Sequence, residues 1–306
     1  MFDFPREITV VEVGPRDGFQ NVKEFIPTDK KIGLINALAR TGIARIEATS
    51  FVHPKAVPQM ADAGEVFRQI EKVGGVRYSA LVPNLRGAEK ALEAGVRELV
   101  FVVSASETHN RKNVNRSIEE SLDEFEAIAG AASRVPGCLL RLDISTAFGC
   151  PFEGKVPVEA VARIAARARD LGTAEVNLCD TTGMANPRQV YEEFTSLKEM
   201  VPDVNWAAHF HNTRGAGLAN VLAALQAGIT VFDASIGGLG GCPFAPGATG
   251  NIATEDLVHM LEEMGLSTGI DLPALINCAR LAEEYLGFTL PGQVMKAGRA
   301  CDLHPV

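Results

Sequence analysis

Apolar, β-branched runs recur along the chain at Ile8–Val13, Ala44–Ala48, Arg77–Val82, Glu98–Val103, Leu139–Ser145, Glu175–Asp180, Asn205–Phe210 and Val231–Ser235. Each predicts a short strand. Between them lie amphipathic stretches, Thr28–Arg40, Ala61–Val73, Ser117–Ser133, Pro157–Leu171, Pro187–Met200 and Gly215–Ala227. Their apolar residues fall three and four apart, as in Ile32, Ile35 and Leu38, which lines one face of a helix. Strands this apolar suit burial on both faces, and eight βα units close most naturally into a parallel (β/α)8 TIM barrel of the α/β class. A doubly wound open sheet is the alternative, but no Gly-x-Gly-x-x-Gly follows the first strand. Beyond Asn251, Thr254–Met264 predicts the eighth barrel helix and Leu272–Leu286 an additional C-terminal helix. The tail from Gly287 to Val306, with Pro291, Gly292, Gly298 and Pro305, reads as irregular or mobile. No linker divides the chain, so the expectation is a single catalytic domain over residues 1–306, with the barrel at about 8–266 and the extension at about 267–306.

Composition narrows the function. The 306 residues are 46% hydrophobic and 22% charged, as in an ordinary globular protein. A net charge of −9 with scattered Lys and Arg argues against a nucleic-acid partner. No basic segment leads into an apolar one at the start, and no eighteen apolar residues run together, so the expectation is a cytoplasmic protein without membrane association. Six cysteines, Cys138, Cys150, Cys179, Cys242, Cys278 and Cys301, lie far apart in a core-rich chain, which favours free thiols of which at most one is chemically special.

Chemistry in such a barrel is built where the strands end. His209 and His211 alternate on one strand, so both rings face the same way. Two hydrogen-bonded structural histidines would show the same pattern, so the rest of the rim must decide. Strand one ends in Arg16 and Asp17, strand two carries Glu47, strand six carries Asn177 and Asp180, and Asn251 precedes the eighth helix. Any one of these could be a cap or an ion pair; together they converge on one rim. Asp17, His209, His211 and Asn251 offer a carboxylate, two imidazoles and an amide carbonyl, a mixture that suits Mg²⁺ or Mn²⁺ with Zn²⁺ less favoured, and leaves positions open for a chelating substrate. Glycines at 237, 238, 240 and 241 precede Cys242, a setting in which a loop can bring the sulfur to a bound substrate.

These residues carry a resemblance. Val10-Val11-Glu12-Val13-Gly14-Pro15-Arg16-Asp17-Gly18 and Gly240-Gly241-Cys242-Pro243-Phe244-Ala245 are similar to the opening and the cysteine signature of 3-hydroxy-3-methylglutaryl-CoA lyases. Further matches at Glu47–Val52, Pro58–Met60, Ser104–Glu107, Ser117–Ser121, Gly149–Gly154 and Gly250–Asp256 follow in that family's order. The resemblance implies a metal-dependent barrel lyase that takes an acyl-CoA thioester, acts in leucine degradation and assembles as a homodimer or higher homo-oligomer. It also implies an Asp, Arg and Glu trio, here Asp17, Arg16 and Glu47. The chain departs from the family pattern at Asn212 and Arg214, where an acid and an aromatic are usual, and at Asn177, Asp143 and Gly287-Phe288-Thr289. The expectation is a field around the acyl group rearranged by Arg214, Asn212 and Asp143.

Cleaving a 3-hydroxyacyl thioester to acetyl-CoA and a keto acid, acetoacetate for the 3-hydroxy-3-methylglutaryl thioester, needs three services: a base for the hydroxyl, a cation for the resulting alkoxide and positive charge at the thioester oxygen. The catalytic candidates are Arg16 at the thioester carbonyl, Glu47 holding Arg16 or relaying a proton, Cys242 exchanging a proton and His209 both ligating and shuttling. Asp180 and Glu255 are expected to support the metal ligands. A lyase or aldolase for citramalyl-CoA or a longer branched glutaryl-CoA is the nearest alternative, a synthase less so because of the Cys242 loop. A metal-stabilised barrel without catalysis would predict a closed metal site and an idle Cys242.

Overall fold

The computed structural model describes residues 4–241 and 250–303. Eight parallel strands close into a barrel in sequence order: β1 (Thr9–Glu12), β2 (Arg45–Ser50), β3 (Arg77–Leu81), β4 (Glu98–Ser104), β5 (Leu139–Ser145), β6 (Glu175–Asp180), β7 (Trp206–Phe210) and β8 (Val231–Ala234), with β8 pairing back to β1. The helices pack outside, as the 3.6-residue spacing requires; Pro187–Met200 and Leu272–Leu286 match the sequence reading to the residue. The main apolar core lies between strands and helices. No helix among the described residues is long and apolar enough to cross a membrane.

Two helices escape the periodicity argument. Leu85–Glu93 is short and buries only small residues, Gly87, Ala88 and Ala91, and Glu107–Val114 is mostly polar; each starts at a side-chain cap, Asn84 accepting from the Gly87 amide and Ser106 from the His109 amide. The tail is also more ordered than expected. Leu290 and Met295 are buried, a helical turn forms at Val294–Ala297, and Asp256 accepts from the Gln293 and Val294 amides.

The barrel interior is ionic rather than aliphatic. On alternate strands β2, β4 and β6, Arg45 donates to Glu98 at 2.6 Å and to Glu175 at 2.8 and 3.0 Å. Above this layer Arg141 meets Glu175 at 3.2 Å and reaches up to Asp143 and Asp233. Such buried pairs stabilise little against well-packed apolar groups, but removing one partner strands the other, so they fix geometry.

Candidate metal and acyl site

After β1 the chain makes one wide helical turn, Gly14–Gly18, in which the Val13 carbonyl accepts from the amides of Arg16, Asp17 and Gly18. The glycines are needed for close approach. A Cβ on Gly14 would lie 2.6 Å from Glu12 Oε1, and one on Gly18 would lie 2.8 Å from Leu239 Cβ. The buried Glu12 carboxylate locks this turn by accepting from the amides of Gly14 and Ile236 and from the Thr254 hydroxyl. The turn thereby aims Arg16 and Asp17 into the mouth of the barrel.

Arg16 is buried and uses three of its five N–H donors on neighbouring acids. Its Nε and Nη2 form a fork on Glu47 at 2.6 and 3.0 Å, and its Nη1 donates to Asp17 Oδ1 at 2.6 Å. Burial opposes its charge, but Glu47 and Asp17 outweigh that and raise the guanidinium further. Burial likewise pushes the Glu47 carboxyl up to about 7, against the pull of Arg16. Asp17 also accepts from Gln20 Nε2 at 2.8 Å and, on Oδ2, from Asn251 Nδ2 at 2.7 Å. Arg16 and the two imidazoles overcome burial and hold Asp17 below the usual carboxylate range.

His209 on β7 and His211 just beyond it complete the cluster: ligand atoms of Asp17, His209 and His211 all lie within 4.8 Å of one another. Asp233 on β8 sits 3.2 Å from His209 Nδ1 and also accepts from Arg141 and Asn177. An ionised carboxylate can only accept, so Nδ1 carries a proton and Nε2 is the nitrogen left for a ligand. Burial and the neighbouring His209 lower His211 to about 4, which keeps it neutral and able to ligate.

The residues fit a divalent cation on two grounds. His211 Nδ1 and Asn251 Oδ1 are buried without hydrogen-bond partners among the described residues, an unfavourable state that a cation would relieve. Among the described residues, the buried carboxyl groups of Asp17, Glu47, Glu98, Asp143, Glu175 and Asp233 also outnumber the guanidinium groups of Arg16, Arg45 and Arg141 that pair with them.

A cavity of about 410 Å³ opens over this cluster, its lining including Arg16, Asp17, His209 and His211 together with Val52, Val82 and Val102. Charged and polar groups thus share the lining with apolar surface, the pattern of a small-molecule site.

Several expectations land elsewhere. Asp180, which burial raises to about 6, accepts on Oδ1 from the amides of Met184 and Ala185 and so holds the loop after β6. Glu255 bonds the Gly237 amide under the turn after β8 and makes no hydrogen bond to Asp17, His209 or His211 among the described residues. Arg214 is exposed and donates to the carbonyls of Thr182 and Gly183, outside the cavity lining, so of the three expected changes to the acyl field only Asp143 faces the cavity. The five described cysteines are free thiols; Cys242 lies outside the described residues. Asp233 escaped the sequence reading, although an acid inside a buried strand is itself a signal, because a buried charge must have a partner.

A closed parallel barrel with a carboxylate and two imidazoles gathered beside a clamped arginine at its C-terminal mouth has the form of a barrel enzyme with a candidate metal-binding group. Comparison with known proteins makes this specific. The HMGL-like family matches residues 7–282. The hydroxymethylglutaryl-CoA lyase of Bacillus subtilis is 49% identical over 290 residues, covering 95% of this chain and 97% of that protein. The mitochondrial hydroxymethylglutaryl-CoA lyase of Gallus gallus is 47% identical over 274 residues, covering 90% and 92%. An HMG-CoA lyase from Acinetobacter baumannii, solved with coenzyme A and 3-methylmalate, superposes with a TM-score of 0.94 at 47% identity over 100% of both chains. The chain belongs to the HMGL-like family.

Proposed function

We propose that this chain is a divalent-metal-dependent carbon–carbon lyase that cleaves a 3-hydroxy-3-methylglutaryl-CoA-like thioester to acetyl-CoA and acetoacetate. The observation that carries the reading is the placement of Arg16 beside Asp17, His209 and His211 on one cavity, which puts thioester recognition and metal ligation within a single substrate's reach. Residues 1–306 act as one catalytic domain, in the cytoplasm, and Mg²⁺ or Mn²⁺ is the favoured ion. Asp17, His209, His211 and Asn251 would hold it, and when bound it supplies Lewis-acid polarisation of the 3-oxygen.

Arg16 donates to the thioester carbonyl, where negative charge develops as the C2–C3 bond breaks. Glu47 holds that fork planar and in place. A base in the cavity takes the 3-hydroxyl proton, the 3-carbon becomes the ketone of acetoacetate, and the bond's electron pair passes to the thioester enolate. Cys242 returns a proton to C2 and releases acetyl-CoA. Asp180 contributes by holding the loop after β6.

The test is incubation with Mg²⁺ and a panel of 3-hydroxyacyl-CoA thioesters, including 3-hydroxy-3-methylglutaryl-CoA, citramalyl-CoA and a longer branched glutaryl-CoA, while following acetyl-CoA. Release from at least one thioester, abolished by chelator, is expected. No release from any member would overturn the assignment.

A further inference from the structure

Two donors bridge the same two acids beneath the site. Arg141 on β5 donates from Nε to Asp143 Oδ1 at 2.8 Å and from Nη2 to both oxygens of Asp233 at 2.7 and 2.6 Å. Asn177 on β6 repeats the bridge with one amide nitrogen, 3.1 Å from Asp143 Oδ1 and 3.0 Å from Asp233 Oδ2. Asp233 then has His209 Nδ1 as its upper contact. Arg141, Asn177 and Asp233 are all essentially inaccessible, so no solvent can substitute for a lost bond.

The direction of each bond follows from chemistry. Arg141 can only donate and the amide nitrogen of Asn177 can only donate, so Asp233 is presented to His209 as an acceptor fixed from two sides. A free aspartate could rotate about its Cα–Cβ and Cβ–Cγ bonds and release the ring; this one is immobilised by three donor contacts from below. Arg141 is in turn held by Glu175, which Arg45 holds against Glu98. The imidazole therefore rests on a continuous ionic column that spans the barrel.

We propose that Arg141, with Asn177 as its second support, is the positioning residue for the metal ligand His209: acting through Asp233, it fixes the Nδ1–H form of the ring and so sets the affinity of the cluster for a divalent cation. Arg141 does not line the cavity, so its action on the site runs through Asp233. The inference rests on the metal-site reading above only for its affinity arm; the tautomer arm stands on the metal-free protein.

The experiment uses the full chain with Arg141→Lys and Asn177→Ala. Arg141→Lys keeps one buried charge but cannot span both acids. Asn177→Ala removes one support without leaving a lone charge and keeps the question open where the lysine variant fails to fold. Nitrogen-15 spectra of the histidine rings in metal-free protein report the tautomer, and electron paramagnetic resonance of free Mn²⁺ reports affinity. Expected in the metal-free wild type at alkaline pH, where the ring is neutral, is an Nδ1–H signature for His209, assigned with His209→Gln, becoming a mixture in the variants. Mn²⁺ dissociation constants should rise about tenfold or more in the variants, the usual cost of losing such support. A purely structural role predicts a lower melting temperature with the tautomer and the Mn²⁺ affinity of the folded fraction unchanged, and that result would overturn the proposal. If the wild type shows the tautomer and its dependence on Arg141 yet binds no Mn²⁺, the metal-site reading fails and the positioning role of Arg141 stands.

Discussion

Replacing Arg16 with lysine separates charge from shape. The guanidinium makes three short bonds in two directions, a fork on Glu47 and one bond to Asp17, with the whole side chain buried. A lysine ammonium keeps the positive charge but not the planar fork, so it can satisfy one direction well and leaves at least one buried carboxylate oxygen unpaired, costing about 1–3 kcal/mol of stability. In catalysis the loss is a donor aimed at charge that develops only as the bond breaks. Removing one such donor typically costs about 2.7–4 kcal/mol, equivalent to roughly 10²–10³ in rate. Arg16→Lys is therefore expected to lower kcat roughly 10²-fold or more while KM changes little, the pattern of an interaction made only in the transition state. Steady-state kinetics on the best thioester of the panel, with a thermal melt to show folding, measures both quantities. A loss carried wholly by KM would refute the enolate role and leave Arg16 as a ground-state anchor.

Asp17→Ala and His211→Ala should each abolish turnover and weaken Mn²⁺ binding in calorimetric titration, and unchanged affinity in both would remove these residues from the metal site. Cys242→Ala should keep folding and Mn²⁺ binding while turnover collapses; thiol alkylation should reach Cys242 first, with substrate protecting it, and full activity after complete blockage would exclude its proton-transfer role. Glu255 is a buried carboxyl raised to about 8 by desolvation, so its folded form binds a proton that the unfolded chain releases above about 4.5. Its stabilising contribution is then complete below about pH 4.5 and declines as pH rises towards 8, amounting to about 3 kcal/mol lost by pH 7. Glu255→Gln, which is neutral throughout, should flatten the melting temperature between pH 5 and 8, and parallel profiles for the two proteins would contradict the buried-acid assignment.

What the sequence discloses and what it hides divide along physical lines. Strands β5 and β6 were legible to the residue because apolar β-branched runs end there in polar residues, and Leu272–Leu286 because its apolar stripe is bounded by Asp271 and Gly287. Glu107–Val114 was not legible because its helix depends on one capping serine and on buried Asn110, whose amide ties three later groups, rather than on an apolar face. The site's first layer was legible from residue types at strand ends. Its support was legible only in part: Arg141 and Asn177 stand out as polar residues on strands five and six, but their meeting at Asp233 was hidden, since it needs strands distant in sequence to close into a ring.

The bond between Asn251 and Asp17 spans 234 positions of the chain and joins the loop after the first strand to the segment after the last. If the cluster holds a cation, a growing polypeptide gains that capacity at one late moment, when the eighth strand has emerged and docked against the first. Before that, Asp17 has neither imidazole opposite it, and a fragment ending short of residue 209 lacks both histidines altogether. Cation binding at this cluster would thus report completed ring closure and would reward that non-local step with free energy.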